Sequence, residues 1–227
     1  MTLTEAGLLK TTLLDFPGEV ASVIFTPGCN LRCPYCHNPG LVDPLRFSAD
    51  LLPIEEIKSF LSKRAHLIGG VVITGGEPLL HDDLVNAIDF IHSLNLKVKI
   101  DTNGLFPDRL KQLNADYIAM DLKTSPEHYY RLGLQGNKDK LKDSIEFITG
   151  AGIPHEFRTT VTEEIVTIDD MEKMALLLKD AEQWFLTPFK PGETLDPAYS
   201  HKIPPSSSYM EKLLSIALEA GINSSIR

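Results

Sequence analysis

Cysteine is scarce in this chain: three in 227 residues, at positions 29, 33 and 36, and none elsewhere. That excludes a disulfide-stapled scaffold and leaves no thiol for a second thiolate-bound centre. Positive charge is also short. Twenty-two Lys and Arg face 31 Asp and Glu, a net charge of −9, so diffuse attraction to nucleic acid or to anionic lipid is not expected. No apolar run reaches the roughly 18 residues of a membrane span, and the opening MTLTEAGLLKTTLLDFPG has no basic segment followed by an apolar one. The expectation is a cytoplasmic chain with small-molecule or protein partners, without nucleic acid or membrane. Clustered thiols in a reducing compartment then argue for metal or redox chemistry.

What is present is an ordinary globular balance, 43% hydrophobic and 23% charged residues, enough for a filled core. One domain is expected over residues 1–227: an N-terminal extension 1–19, a core 20–190 and a C-terminal segment 191–227 with a helix. Within the core, β-rich apolar runs alternate with helix-period stretches about six times. The runs are VASVIFT from Val20, GVVITGG from Gly70, KVKIDTNG from Lys97, DYIAMDLK from Asp116, HEFRTTVT from His155 and QWFLTPF from Gln183. Ile54, Ile57 and Leu61 share one helix face, and Leu84, Ile88 and Ile91 another. Asp169 and Asp170 sit at the start of a later helix, near the positive end of its dipole. Alternation of this kind builds a parallel sheet with crossover helices. Six units fall short of a closed eight-fold barrel, so the expected fold is α/β, a partial (β/α)6 TIM-like barrel. Chemistry in such folds sits at the carboxyl ends of the strands, where the cysteines, GGEP, DTNG and DLK all fall.

The cysteines lie in CNLRCPYCHNP. One reading is structural zinc, with His37 as a fourth ligand; zinc sites more often use two ligand pairs divided by a longer spacer. Buried inert thiols are a second, opposed by the Asn, Arg and Pro residues that make this a loop. The third is an iron–sulfur cluster held by three thiolates instead of four, which leaves one iron without a protein ligand.

CNLRCPYC, a CxxxCxxC with Tyr35 before the last cysteine, resembles the signature of the radical S-adenosylmethionine (SAM) enzymes, and the likeness runs from about Leu8 to Pro197. It implies a 4Fe–4S cluster on Cys29, Cys33 and Cys36, with the methionine moiety of SAM on the open iron. GGEP, with Gly75, Gly76 and Glu77, is similar to the family segment that receives the methionine ammonium. Glycine lets main chain approach a ligand closely and Glu77 offers a charged acceptor; alone, the segment reads equally as a turn.

DTNG (Asp101, Thr102, Asn103, Gly104) and MDLK (Met120 to Lys123) resemble the activases of glycyl radical enzymes. There the resemblance implies a monovalent cation, Na+ or K+, on the carboxylates of Asp101 and Asp121 with main-chain oxygens of Thr102 and Met120, and Lys123 near SAM. A hard cation prefers oxygen and can bridge carboxylates that would repel one another. The plain alternative for Asp101 is an Asx turn made with Asn103, and for Asp121 and Lys123 a solvated strand end. Arg158 on the fifth run contacts SAM or the cluster surroundings, or else pairs with Glu156 or Glu163. Tyr35 packs on the adenine side of SAM or fills the loop; His37 is a supporting hydrogen-bonder near the cluster or an exposed imidazole.

LLDFPG at residues 13–18 with the cysteine loop and EFRTTV is most similar to activating proteins of anaerobic ribonucleoside-triphosphate reductase, laid out like pyruvate formate-lyase activase. Two departures stand out: Lys190 occupies the place of a histidine in the latter, and Thr187 that of a glutamine common in the former. The implied activity is reductive cleavage of SAM at the cluster to methionine and a 5′-deoxyadenosyl radical, which takes hydrogen from a glycine of a partner enzyme. A flavodoxin or ferredoxin-like protein is the implied electron donor. The competing readings are a radical SAM enzyme acting on a small molecule such as a deazapurine precursor, and a zinc-stabilised binding protein.

Overall fold

The computed structural model describes residues 1–134, 136 and 138–227. Its elements, in chain order, are β1 (Glu5–Thr12), β2 (Ala21–Thr26), α1 (Pro39–Val42), β3 (Leu52–Pro53), α2 (Ile54–Arg64), β4 (Gly70–Gly75), α3 (Leu84–Ser93), β5 (Lys97–Thr102), α4 (Pro107–Leu110), β6 (Tyr117–Asp121), α5 (Asp139–Gly150), β7 (His155–Val161), α6 (Ile168–Leu177), β8 (Trp184–Pro188), α7 (Ser207–Glu219) and β9 (Ser224–Ile226). This is the expected α/β class. Contacts group the chain into two compact units, Met1–Asn30 with Asn38–Thr102 and Asp108–Ile118, and Leu31–His37 with Asn103–Pro107 and Ala119–Arg227.

In the first unit β2, β4 and β5 run parallel, with Ala21 level with Gly70, Thr26 with Gly75, and Ile73 with Ile100. β2 and β4 are covered on both faces, as their unbroken apolar runs require, and β5, which alternates as KVKIDT, is buried along its middle as well: Val71, Val72, Ile73, Val98 and Ile100 are all buried. β1 lies antiparallel to both β2 and β3, so residues 5–12 of the N-terminal extension form a sheet strand. Helix α3 buries Leu84, Ile88 and Ile91 as their spacing predicts. In α2 only Ile57 and Leu61 of the predicted trio are buried, Ile54 being half-exposed at its first turn.

In the second unit β7, β8 and β9 are parallel neighbours. Trp184 is fully buried on β8, and its indole N–H is satisfied by Thr159 Oγ1 at 3.0 Å, while that hydroxyl donates to the Leu122 carbonyl at 2.6 Å. A buried indole contributes its large apolar area without stranding a donor. Helix α6 opens on a capping box, Thr167 with Asp170. Its Met171 and Met174 face inward, and α7 buries Met210, Leu213 and Ala217.

Candidate functional site

Parallel register places the chemistry of the first unit at one end of its strands. Cys29 follows β2, Gly75–Glu77 follow β4, and Asp101 and Thr102 end β5. The Gly76 amide donates to the Thr26 carbonyl and the Glu77 amide to the Gly28 carbonyl, both at 2.8 Å. Gly75 sits at φ +112°, left-handed backbone that only glycine adopts freely. A Cβ on Gly76 would collide with the Gly28 carbonyl oxygen, and one on Gly75 with the main chain of Thr26. Within this unit the glycines let the β4 turn dock on the backbone that leads into Cys29. Gly76→Ala forces two main-chain segments apart and is expected to cost about 2–3 kcal/mol, a fall of roughly 4–12 °C in Tm by thermal denaturation.

Glu77 is fully buried. Its Oε1 accepts the Leu79 amide at 3.1 Å and the Thr102 hydroxyl at 2.8 Å, so the side chain closes the turn after β4 and ties it to β5. Asn103 makes an Asx turn of its own, its Oδ1 accepting the Leu105 amide at 3.1 Å within the second unit. Asp101 Oδ1 accepts from Lys99 Nζ at 2.7 Å, with Lys99 only 1% and Asp101 11% exposed. Sequence reasoning missed Lys99. The signal was there: on a strand, residues two apart share a face, so a lysine two before an inward carboxylate points where the carboxylate points.

The second unit holds Cys33, Tyr35, Cys36 and His37. The Cys36 amide donates to the Cys33 carbonyl at 3.1 Å, and the Leu195 and Asp196 amides brace the loop through the carbonyls of Cys36 and Pro34, each at 3.0 Å. His37 Nε2 donates to the Lys190 carbonyl at 2.8 Å, and its ring stacks on Phe189 with centroids 5.5 Å apart. His37 thus fastens the loop to the segment after β8 by a hydrogen bond; Lys190 takes part through its main chain. Thr187 lies one turn of pleat back on β8, level with Thr160.

Around Tyr35 the chain gathers charge. Asp121 ends β6; its Oδ1 accepts Arg158 Nε at 2.9 Å and its Oδ2 accepts Lys123 Nζ at 3.3 Å. Arg158 therefore pairs with Asp121, a partner not foreseen, and lies further from Glu156 at 3.9 Å. Burial pushes the Asp121 carboxyl up, but the Arg158 and Lys123 charges prevail and hold it at about 2. The sign follows: against an ordinary value of 3.8, this pair stabilises fully above about pH 4 and is lost as pH falls toward 2. Burial lowers Lys123, yet Asp121 and Cys33 more than offset it, so the ammonium is held charged well above its usual value. The Lys123 amide donates to Tyr129 Oη at 3.0 Å. Met120 is buried, its side chain filling the space beside Gly104.

Which groups could this donor set hold? All three cysteines carry reduced thiols. Among the described residues no group of three or more His, Cys, Asp or Glu gathers tightly enough to hold a metal ion, as a closed zinc site demands. A cubane asks for something else, because each thiolate binds a different iron and the three need not converge on one point. Among the described residues the Tyr35 hydroxyl is buried without a hydrogen-bond partner, a polar atom left for a ligand to satisfy. Thiolate softness suits iron–sulfur chemistry, so the Cys33 and Cys36 thiols and the Tyr35 hydroxyl of the second unit's loop fit a cluster-bound cofactor.

A family model, the radical SAM superfamily, matches residues 23–178. A Methanocaldococcus jannaschii protein named as a glycyl-radical enzyme activating enzyme is 29% identical over 225 residues, 93% of this chain and 90% of that one. The pyruvate formate-lyase-activating enzyme of Clostridium pasteurianum is 27% identical over 187 residues, 78% of each chain. Among solved structures, a radical SAM methyltransferase from Sphaerobacter thermophilus superposes with a TM-score of 0.68 at 15% identity, covering 100% of this chain and 77% of that one. At that identity the likeness speaks for fold alone, the partial barrel expected from the βα alternation.

Proposed function

We propose, given that this chain belongs to the radical SAM superfamily, that it installs a glycyl radical on a partner enzyme, and that the partner is anaerobic ribonucleoside-triphosphate reductase. The observation that carries the first part is the end-to-end match with a glycyl-radical enzyme activating enzyme, across 93% of this chain and 90% of the relative. The second part rests on the resemblance of LLDFPG, just before the strand that leads into the cysteine loop, and of EFRTTV, the strand that carries Arg158.

Cys29, Cys33 and Cys36 would hold a 4Fe–4S cluster, and Tyr35, Gly75, Gly76, Glu77, Asn103, Lys123 and Arg158 would surround SAM. When bound, the pair supplies one-electron reductive cleavage of a sulfonium to a carbon radical. The chain's own work is placement and charge. The β4 turn sets Glu77 against β5; Lys123 and Arg158 stay cationic, and between them fix Asp121 and offer positive charge to a carboxylate ligand. Asp101 and Asp121, which the resemblance gives to a monovalent cation, already hold protein ammonium and guanidinium groups.

The test is anaerobic incubation of the reconstituted protein with SAM, a flavodoxin or ferredoxin-like donor and candidate glycyl enzymes. A glycyl radical signal by electron paramagnetic resonance is expected with the reductase. A signal only with a formate-lyase type enzyme would reassign the partner. SAM cleavage with no glycyl signal from any candidate would sink the activase reading and leave a small-molecule substrate.

A further inference from the structure

Lys99 is a charged residue where none was expected. It lies mid-strand between buried Val98 and Ile100, is 1% exposed, and belongs to a sheet covered on both faces. Leaving an ammonium uncompensated in such a place costs several kcal/mol, so something must offset it. Asp101 does, two residues along the same face, at 2.7 Å. The π-face of Tyr117, its centroid 5.9 Å from Nζ, adds a weak attraction. Phe16 packs on the same tyrosine ring, with centroids 6.1 Å apart.

An ammonium on a fixed stem is a compact point charge that offers its hydrogens to oxygen. It does for a carboxylate what a hydrated monovalent ion would, and it cannot dissociate. The other carboxylate in question, Asp121, is likewise met by two protein cations, at 2.9 Å and 3.3 Å.

We infer that the Lys99 ammonium is a built-in cation for Asp101, so that this chain needs no Na+ or K+ from solution at that carboxylate. The inference deepens the proposed radical SAM site, but its first test is independent of that reading. The cluster-free chain is exchanged into tetramethylammonium chloride, whose cation is too large to enter a carboxylate cage. KCl or NaCl is then titrated in at constant ionic strength while Tm is followed. The wild type is expected to shift by less than about 1 °C, and Lys99→Met to gain several degrees with saturation, as a ligand-linked transition does.

A second readout uses the reconstituted protein. SAM cleavage by the wild type should differ by less than about twofold between the two salts, and Lys99→Met should be stimulated by K+ about tenfold or more. Lys99→Arg, which keeps the charge, should stay indifferent, a pattern that a packing role alone would not produce. Saturable K+ stabilisation of the wild type overturns the inference, and so does a Lys99→Met protein as indifferent to salt as its parent. Should Lys99→Met not fold, Lys99→Gln is read by the same criteria. Loss of the activase reading would leave the Tm result standing.

Discussion

Cys33→Ser and Cys36→Ser are each expected to give a folded, colourless protein that no longer cleaves SAM, with activity down well beyond the about 10–100-fold that loss of a merely supporting partner costs. The argument is one of ligand chemistry. A serine alcohol does not ionise near neutral pH and is a hard donor, whereas iron–sulfur clusters take soft thiolates. The fold should survive, because what braces this loop is main chain: the Cys36 amide to the Cys33 carbonyl, and the Leu195 and Asp196 amides to the carbonyls of Cys36 and Pro34. None of these uses sulfur. Iron analysis and visible absorbance after anaerobic reconstitution, with circular dichroism as the control for folding, separate loss of cluster from loss of structure. A serine variant that kept full iron content and SAM cleavage would remove the thiolates from the mechanism. So would a wild type that reconstitutes with zinc alone.

That loop was legible in the sequence because a metal-binding motif is local: three ligand residues in eight positions carry their meaning without reference to the rest of the chain. The buried parallel strands were legible for a similar reason. β2, β4, β5, β7 and β8 start and stop within about a residue or two of the runs named from the sequence; β2 and β4 read as continuous hydrophobic stretches, while β5 and β7 were marked by β-branched and alternating residues. Edges were harder. β1 alternates poorly, with Lys10 and Thr11 exposed, and β9 is three residues, two of them serine; their strand character comes from pairing with β2 and β8, not from composition.

The site divides along the same line. Positions inside motifs were found, but what they touch was not. Glu77 meets Thr102 across 25 residues, Arg158 meets Asp121 across 37, and His37 meets Lys190 across 153. Register and docking decide those meetings, and no periodicity in one segment encodes them. Lys99 is the instructive exception: strand geometry alone placed it beside Asp101. It escaped notice because a lysine on a strand is ordinarily taken to be at the surface.

Asp170→Ala is expected to be the most destabilising single change outside the site, by about 3–5 kcal/mol. The sequence placed Asp170 at a helix start, which is true and understates it. Its carboxylate is fully buried. One oxygen accepts from Ser125 Oγ and is bonded to His128 Nδ1; the other accepts the Thr167 amide at 3.0 Å, the Thr167 hydroxyl at 2.7 Å and Arg131 Nη1 at 3.2 Å. One side chain thus completes the capping box of α6 and ties that helix to the turn formed by Pro126–Leu132. Truncation removes the shared acceptor of all these donors at once and takes it from the fully buried Ser125 hydroxyl, the circumstance in which hydrogen bonds are most expensive to lose.

For a chain of this size the expected fall in Tm is roughly 6–20 °C. Asp170→Asn, which keeps the shape and loses the charge, should fall between Asp170→Ala and the wild type. The pH dependence distinguishes charge from packing. Burial raises the Asp170 carboxyl, but the hydrogen bonds from Ser125 and Thr167 and that with His128 outweigh it and hold the group well below its ordinary 3.8. A depressed folded value means that its contribution is complete above the unfolded value, near pH 4, and is lost as pH falls through the folded one. Urea denaturation of the cluster-free chain should therefore show the gap between wild type and Asp170→Asn constant from pH 8 to about 5 and narrowing below about 4. A gap that does not narrow in acid would assign the effect to shape. An Asp170→Ala protein within about 1 kcal/mol of wild type would show that these donors find other partners, and that the carboxylate does not hold α6 to the turn before it.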